Sequence, residues 1–333
     1  MLHPFDAVLV VAFGGPQGPD DIRPFLSNVL RGRRVSPSRV EEVAHHYELF
    51  GGVSPLSELT TRQANALSEK LARHRHRLPV YVGMRNWHPY LRDTLAQMSR
   101  DGVRRAVGVI AAAHRSYSSC TQYRENVADA RAAIRPEGLC DVEITFAGDW
   151  HTHPGFIQAN AAHIREALGR LPNGGATAQV VFTAHSIPVS MAERYPYERQ
   201  IHETADAVMA QLQREPSPAG ESRGSAVVFQ SRSGRPDDPW LGPDVCDYLR
   251  EARRTGVEAV VLSPIGFLCD HVEVLYDLDV EAMAVAREIG LPCSRAAAVN
   301  DHPAFIETLA SAVTAVCDRY AAGVPLRLVA NPS

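Results

Sequence analysis

TGVEAVVLSPIGFLCDHVE (residues 255–273) sets a helix end at Gly256, an apolar strand over 259–262, and a loop that carries His271. DGVRRAVGVIAAAHRSYSS (101–119) follows the same plan, with Gly102, an apolar strand and then His114. Short apolar runs alternating with helical patterns read as parallel strands covered on both faces. In the first half, strands are expected at 7–12, 80–83, 107–111 and 142–146, with helices at 20–30, 61–73, 91–100 and 121–134. In the second, strands are expected at 179–183, 226–230 and 259–262, with helices at 198–214 and 243–254. Repetition of one plan makes the chain an α/β protein of two similar Rossmann-like halves, 1–150 and 151–333, with a frayed tail from about 324. Sites in such sheets lie in the crevice beyond the carboxyl ends of the strands. That rule puts Phe13, His114, His185, Ser231 and His271 at one mouth, in a cleft between the halves.

A chain of 333 residues is long enough for two buried cores, and 45% hydrophobic with 22% charged residues is ordinary for a soluble protein. The formal net charge of -4 argues against nucleic acid as a partner, which needs a concentrated positive footprint. Basic residues gather only locally, at Arg31, Arg33 and Arg34, where they suit an acidic ligand. No apolar run reaches the roughly 18 residues of a membrane span, and the apolar run 7–12 lacks the basic flank of a signal peptide. Six scattered cysteines with no CxxC pair fit free thiols in a reducing compartment. A cytoplasmic location is expected.

The segment SPIGFLCDHVEVLYDLDVE (263–281) places Glu273, Asp277 and Glu281 four residues apart. On a helix they form one acidic stripe, with Val272, Leu275 and Leu278 opposite. Like charges at this spacing repel by a few tenths of a kcal/mol each. Two readings stand: a path for cations or protons, or a solvated face with acids favoured near the helix start. His185, in FTAHSIP (182–188), follows a buried strand at a small-residue turn, where an imidazole can exchange protons near neutrality or bind a metal. QSRSGRPDDPWLGPD (230–244) reads as a structured loop with Trp240 within it, and EPSPAGESRG (215–224) as a surface loop. GGVSPL (51–56) suits approach to an anionic ligand through Ser54, or a simple helix start capped by Ser57. RNWHPYL (85–91) reads as a strand-to-helix loop. The chain has no Walker loop, no strand-linked Gly-x-Gly-x-x-Gly and no HExxH, so nucleotide and zinc-protease chemistry are disfavoured.

FGGP, GGVSPL, FTAHSIP, QSRSGRPDDPWLGP and SPIGFLCDHVEVLYDLDVE, in this order, resemble the ferrochelatases over about residues 5–320. The resemblance implies two Rossmann-like domains around a porphyrin cleft, and insertion of Fe2+ into a porphyrin with release of two protons. It implies that His185 and Glu273 are the catalytic, metal-meeting pair, that Asp277 and Glu281 continue an acidic path, and that His271 and Asp270 support them. A π-type turn is common there in the family and would converge the carboxylates. Phe13 stands where relatives carry Tyr or Met; it cannot coordinate iron, so packing against the macrocycle is its expected role. Arg31, Tyr47, Ser54 and Tyr123 match positions that meet the substrate's carboxylates. His46 stands where relatives have Arg, and Trp240 is placed with the porphyrin-binding set. Polar residues over 30–52, in place of an apolar lip, resemble relatives that use coproporphyrin III; protoporphyrin IX is the alternative substrate, and a non-catalytic porphyrin carrier or a cobalt or nickel chelatase the alternative function. No tightly bound cofactor is expected. Cys120 could open a [2Fe–2S] ligand set, but none follows Cys317, and four thiolates are needed, so no cluster is expected. The chain is expected to be monomeric.

Overall fold

The computed structural model describes residues 4–32, 35–73, 76–214, 223–233 and 238–324. The chain divides into two compact units, one made of 1–111, 118–148 and 306 onward, the other of 112–117 and 149–305. Each is built on a four-stranded parallel sheet. The first contains β1 (Ala7–Ala12), β2 (Val80–Met84), β3 (Arg105–Ile110) and β4 (Glu143–Phe146) in the order β2-β1-β3-β4. The second contains β5 (Gln179–His185), β6 (Ser225–Gln230), β7 (Val260–Ser263) and β8 (Cys293–Arg295) in the order β6-β5-β7-β8. The repeat read in the sequence is therefore a repeat of topology, strand for strand.

All six residues of β1 and all four of β7 are buried, as expected for parallel strands packed on both faces. The order reverses direction beside β1 in one sheet and beside β5 in the other. A ligand crevice opens at such a switch point. In the second unit it is bounded by the ends of β5 and β7, where His185 and the 264–271 loop sit. β8 was not expected from the sequence; a strand of three residues gives no usable alternation.

Within the first unit, Leu9, Val11, Leu95, Met98, Val127 and Ile134 form one continuous core. In the second, Val181, Val228, Leu249 and Leu262 pack with Val274, Leu278 and Ala282 from the segment that carries the acids. Deleting a side chain buried like Leu278 costs about 2–5 kcal/mol, so that segment is anchored along one face. The apolar side expected at 272, 275 and 278 is in fact 272, 274, 278 and 282, with Leu275 only half-buried.

The last helix, Pro303–Ala321, differs from the expected division at 150, because its residues from 306 on belong with the first unit. Its end is held there by Phe5 against Tyr320 (5.2 Å between ring centres), by His76 to Asp318 at 3.0 Å, and by Arg105 over Tyr320. Among the described residues, no helix is long and apolar enough to cross a membrane. The expected tail beyond 324, most of the expected loop at 215–224, and Arg33 and Arg34 lie outside the described residues.

Candidate active site

His185 is the last residue of β5 and is half-buried. Its Nδ1–H donates to the Ser186 carbonyl at 2.5 Å, which leaves the Nε2 lone pair for a proton or a metal. Its own carbonyl accepts from the Tyr197 hydroxyl at 2.9 Å. The turn that follows is zipped to the QSR…PWLGP segment: Ser186 N–H donates to Gln230 O at 2.8 Å, Ser186 Oγ to Leu241 O at 2.7 Å, and Leu241 N–H to Ile187 O at 3.0 Å. Pro188 and Trp240 form a bridge in the same strap, so Trp240 sits near the His185 turn.

From the other side, the loop after β7 runs hard against β5. Gly266 donates its N–H to Thr183 O at 3.1 Å, and a Cβ there would lie 2.6 Å from Ala184 Cα. Only glycine allows this approach. The loop ends at His271, whose ring meets Phe267 edge-on at 5.0 Å and leads into the helical turn Val272–Val274. Burial pushes the His271 pKa below its ordinary value; the Glu273 charge opposes this and the His185 charge adds to it. His185, His271 and Glu273 therefore share one electrostatic neighbourhood, with His271 held neutral at its edge.

A π-helix, Leu275–Ala282, continues the segment, and the Met283 N–H that follows donates five residues back to Leu278 O. Glu273 and Glu281 are exposed, whereas Asp277 between them is half-buried. Its Oδ2 accepts from Gln230 Nε2 at 3.2 Å and closely from the Ser231 hydroxyl. Burial raises the Asp277 pKa to about 7; Glu273 and Glu281 push the same way, while the Ser231 and Gln230 donors offset part of it. Ser231 reaches the carboxylate from a left-handed backbone, φ 60°, at the end of β6, and Gln230 pairs with His185 across the sheet. Two neighbouring residues thus link the histidine to the middle of the acidic row. Ser231 was expected at the mouth but had no assigned partner, and serine carries no sequence signal for this conformation.

Asp270 serves a different purpose from its neighbours. Its carboxylate accepts from Arg295 Nη1 at 2.7 Å, Asn300 Nδ2 at 2.8 Å and Ala298 N at 3.1 Å, tying the loop to the end of β8. It reaches His271 through charge. Asp279, two residues beyond Asp277, forks onto the same Arg295 at 2.6 and 2.9 Å. His114, expected at the mouth, is instead buried, with Nε2 2.9 Å from Thr204 Oγ1. Burial and His151 hold it neutral, with a pKa of about 3.

In the first unit, Phe13 directly follows β1, half-buried, and meets Phe25 at 6.2 Å; Phe25 in turn meets Tyr47 at 5.6 Å. The Arg85 guanidinium lies 5.6 Å from the Phe13 ring centre and 5.4 Å from that of Tyr123, and donates to Gln122 Oε1 at 3.0 Å. Phe13, Tyr47 and Tyr123 are thus gathered around Phe25 and Arg85. The sequence had placed Arg85 in a loop without a role. Tyr123 opens the helix Gln122–Ile134 just after a second π-helix, Tyr117–Thr121, at the point in the first half that matches the acidic row in the second. Ser54 is buried against the FGGP turn, with its N–H on Pro16 O at 2.8 Å. Ser57 does not cap; it lies inside Leu56–Ala72, with its hydroxyl 3.4 Å from Gly15 O. His46 is half-buried in the last turn of the helix Pro37–Leu49, and Arg31 is exposed, donating to Asn28 Oδ1 at 2.7 Å.

Among the described residues, no group of three or more His, Cys, Asp or Glu side chains is set to hold a metal ion. The second unit thus sets an imidazole with an open nitrogen in one electrostatic neighbourhood with carboxylates, and the first unit, taken by itself, presents aromatic rings and a guanidinium.

The chain is similar to known proteins over most of its length. The chain is 46% identical over 315 residues to the coproporphyrin III ferrochelatase of Streptomyces coelicolor, covering 91% of this chain and 83% of that one. It is 42% identical to that of Mycolicibacterium smegmatis, over 98% and 93% of the two chains. The sirohydrochlorin chelatase SirB of Bacillus subtilis subspecies spizizenii, solved with cobalt, has the same fold at a TM-score of 0.54 and 11% identity, over 96% and 97% of the two chains. The match to the Ferrochelatase family spans residues 5–316, and the chain belongs to that family.

Proposed function

We propose that this chain inserts Fe2+ into coproporphyrin III, with His185 and Glu273 as the catalytic pair. Charge balance dictates what the site must do, because a neutral ring that takes up Fe2+ releases two N–H protons. A base must reach those protons, and a route must carry them away. The observation that carries the reading is His185, with Nε2 open and Nδ1 fixed, joined through Gln230 and Ser231 to a carboxyl that titrates near neutrality. His185 Nε2 accepts a proton from the ring, and Asp277, with a pKa of about 7, passes protons on at low cost in either direction. Glu273 and Glu281, exposed on either side, are the entry and exit of this path for hydrated metal and for protons. His185 and Glu273 together give too few ligands to trap iron, which suits a metal that is cargo. His271 and Asp270 support the pair, one as a neutral ring beside it and the other as the tie that fixes the loop.

On the porphyrin side, Phe13 packs against the macrocycle and Arg31, His46, Tyr47, Ser54 and Tyr123 face its acidic groups, with Trp240 beside the His185 turn. The names of the relatives and the polar 30–52 segment support coproporphyrin over protoporphyrin IX. We further take the protein to be a cytoplasmic monomer with no resident cofactor and no [2Fe–2S] cluster. Anaerobic iron insertion followed by absorbance, with each porphyrin offered separately and without detergent, tests the reading. Faster turnover with coproporphyrin III is expected. Preference for protoporphyrin IX would overturn the substrate, and turnover of neither would overturn the activity.

A further inference from the structure

A pocket of about 540 Å³ opens in the first unit between the end of β2, the start of the helix Leu91–Arg100 and the flank of Gln122–Ile134. Its lining holds three arginines, Arg31, Arg85 and Arg92, against a single carboxylate, Asp93. The donors in it are organised in advance. Asn28 accepts from Arg31 Nη2 at 2.7 Å through Oδ1, and through Nδ2 donates to the Tyr90 hydroxyl oxygen at 3.0 Å. Arg31 is thereby steered with the rest of its fork unused by Asn28, and Tyr90 keeps its own O–H to donate. Arg92 is held by Asp93 at 3.3 Å and by Glu137. The helix that begins here has no side-chain cap at Tyr90, so its first N–H groups and the positive end of its dipole add to the same sign. Asn126 Oδ1, also in the lining, is buried without a hydrogen-bond partner; turning the amide over would present its NH2 instead. Arg85 connects the pocket to the Phe13 and Tyr123 rings, since it lies against both and forms part of the lining.

We propose that this pocket is a carboxylate-binding site in which Tyr90 and Arg92 act beside Arg31, and that its occupant is one acidic arm of the porphyrin. The identity of the occupant rests on the function proposed above; the carboxylate chemistry does not. Planar guanidinium forks and a tyrosine hydroxyl match a carboxylate in geometry and sign, and an apolar group would leave them unpaired. A free small carboxylate offers the same chemistry from a second source.

The test titrates the full chain and its Tyr90→Phe and Arg92→Gln variants with coproporphyrin III, with its tetramethyl ester, and with citrate. The ester keeps the ring and removes the charges. Each variant should weaken coproporphyrin III binding by about three- to tenfold, as for loss of one charge-assisted donor at a half-exposed site, and leave ester binding unchanged. Variants that weaken citrate alone would keep the site and assign it to a free carboxylate. Affinities for both acids within twofold of the wild type, or an equal loss for the ester, would overturn the proposal. Failure of the wild type to bind any porphyrin would instead sink the proposed function and leave the citrate titration to judge the pocket.

Discussion

Asp277→Asn isolates the least ordinary charge in the molecule. The carboxyl is held at about 7 in the folded chain against an ordinary 3.8, so between those values the native state keeps a proton that the unfolded state has lost. The sign follows: a raised folded pKa stabilises the protein fully below about pH 3.8, and that stability is lost as pH rises through about 7. The whole interval corresponds to about 4 kcal/mol, of which about 2.5 kcal/mol falls between pH 5 and pH 8. Asparagine has nearly the same shape, can still accept from Ser231 and Gln230, and does not titrate in this range. The variant should therefore gain about 2.5 kcal/mol on the wild type when urea unfolding is compared at pH 5 and pH 8. Groups common to both proteins cancel in that comparison. A difference between the two proteins that stays constant across this range would mean that Asp277 ionises like an ordinary carboxyl. The relay assigned to it would then have no basis.

His185→Ala should lower kcat by about 10²–10⁴-fold while porphyrin binding, read by fluorescence quenching, persists; near-normal turnover would remove His185 from the chemistry. Asp270→Ala should cost about 2 kcal/mol in urea unfolding, because the Asn300 amide and the Ala298 N–H lose their acceptor at a mostly buried tie and Arg295 is left with Asp279 alone, and a loss under 1 kcal/mol would contradict that role. Gly266→Ala must push the loop off β5, where the new methyl would meet Ala184, so the melting temperature and kcat should fall together; an unchanged kcat would show that the loop does not position His185.

Most of the scaffold was legible because buried parallel strands leave runs such as AVLVVA that little else explains, and because the second half repeats the first. The parts that were not legible have physical reasons. In a π-helix each N–H bonds five residues back rather than four, which changes the positions that face the core without changing the composition; the buried ones here are 274, 278 and 282 rather than 275. Within the acidic stretch, the four-residue spacing put Asp277 in one row with Glu273 and Glu281, but it could not show that Asp277 turns to Ser231 or that Asp279 turns to Arg295. His114 and His185 both lie at the ends of apolar strands; partners far along the chain, such as Thr204, 90 residues away, mark the first as a packed residue. Long-range partners of this kind leave no local pattern. Arg85 was missed for the same reason, since its meaning lies in the rings of Phe13 and Tyr123.

The repeat also explains how one scaffold supplies two opposite chemistries. β1 and β5 occupy the same place in their sheets; the first leads into Phe13 and the second ends in His185. After β3 and β7, each half enters a π-helix, YSSCT in the first and LYDLDVEA in the second. The backbone plan is shared, but the first unit places Arg85, Tyr123 and an arginine-rich pocket beside its sheet, whereas the second places Asp277 between Glu273 and Glu281. A metal-free tetracarboxylate porphyrin makes both demands at once. Its anionic arms need cations and hydroxyls, and its centre needs a base and a place for a divalent ion. Charges of both signs in one crowded unit would neutralise each other by forming ion pairs, as Asp270 and Arg295 do. Dividing the signs between two copies of one fold would, on the function proposed above, leave Arg31 for a ligand's carboxylates and keep Asp277 near neutrality in the same protein.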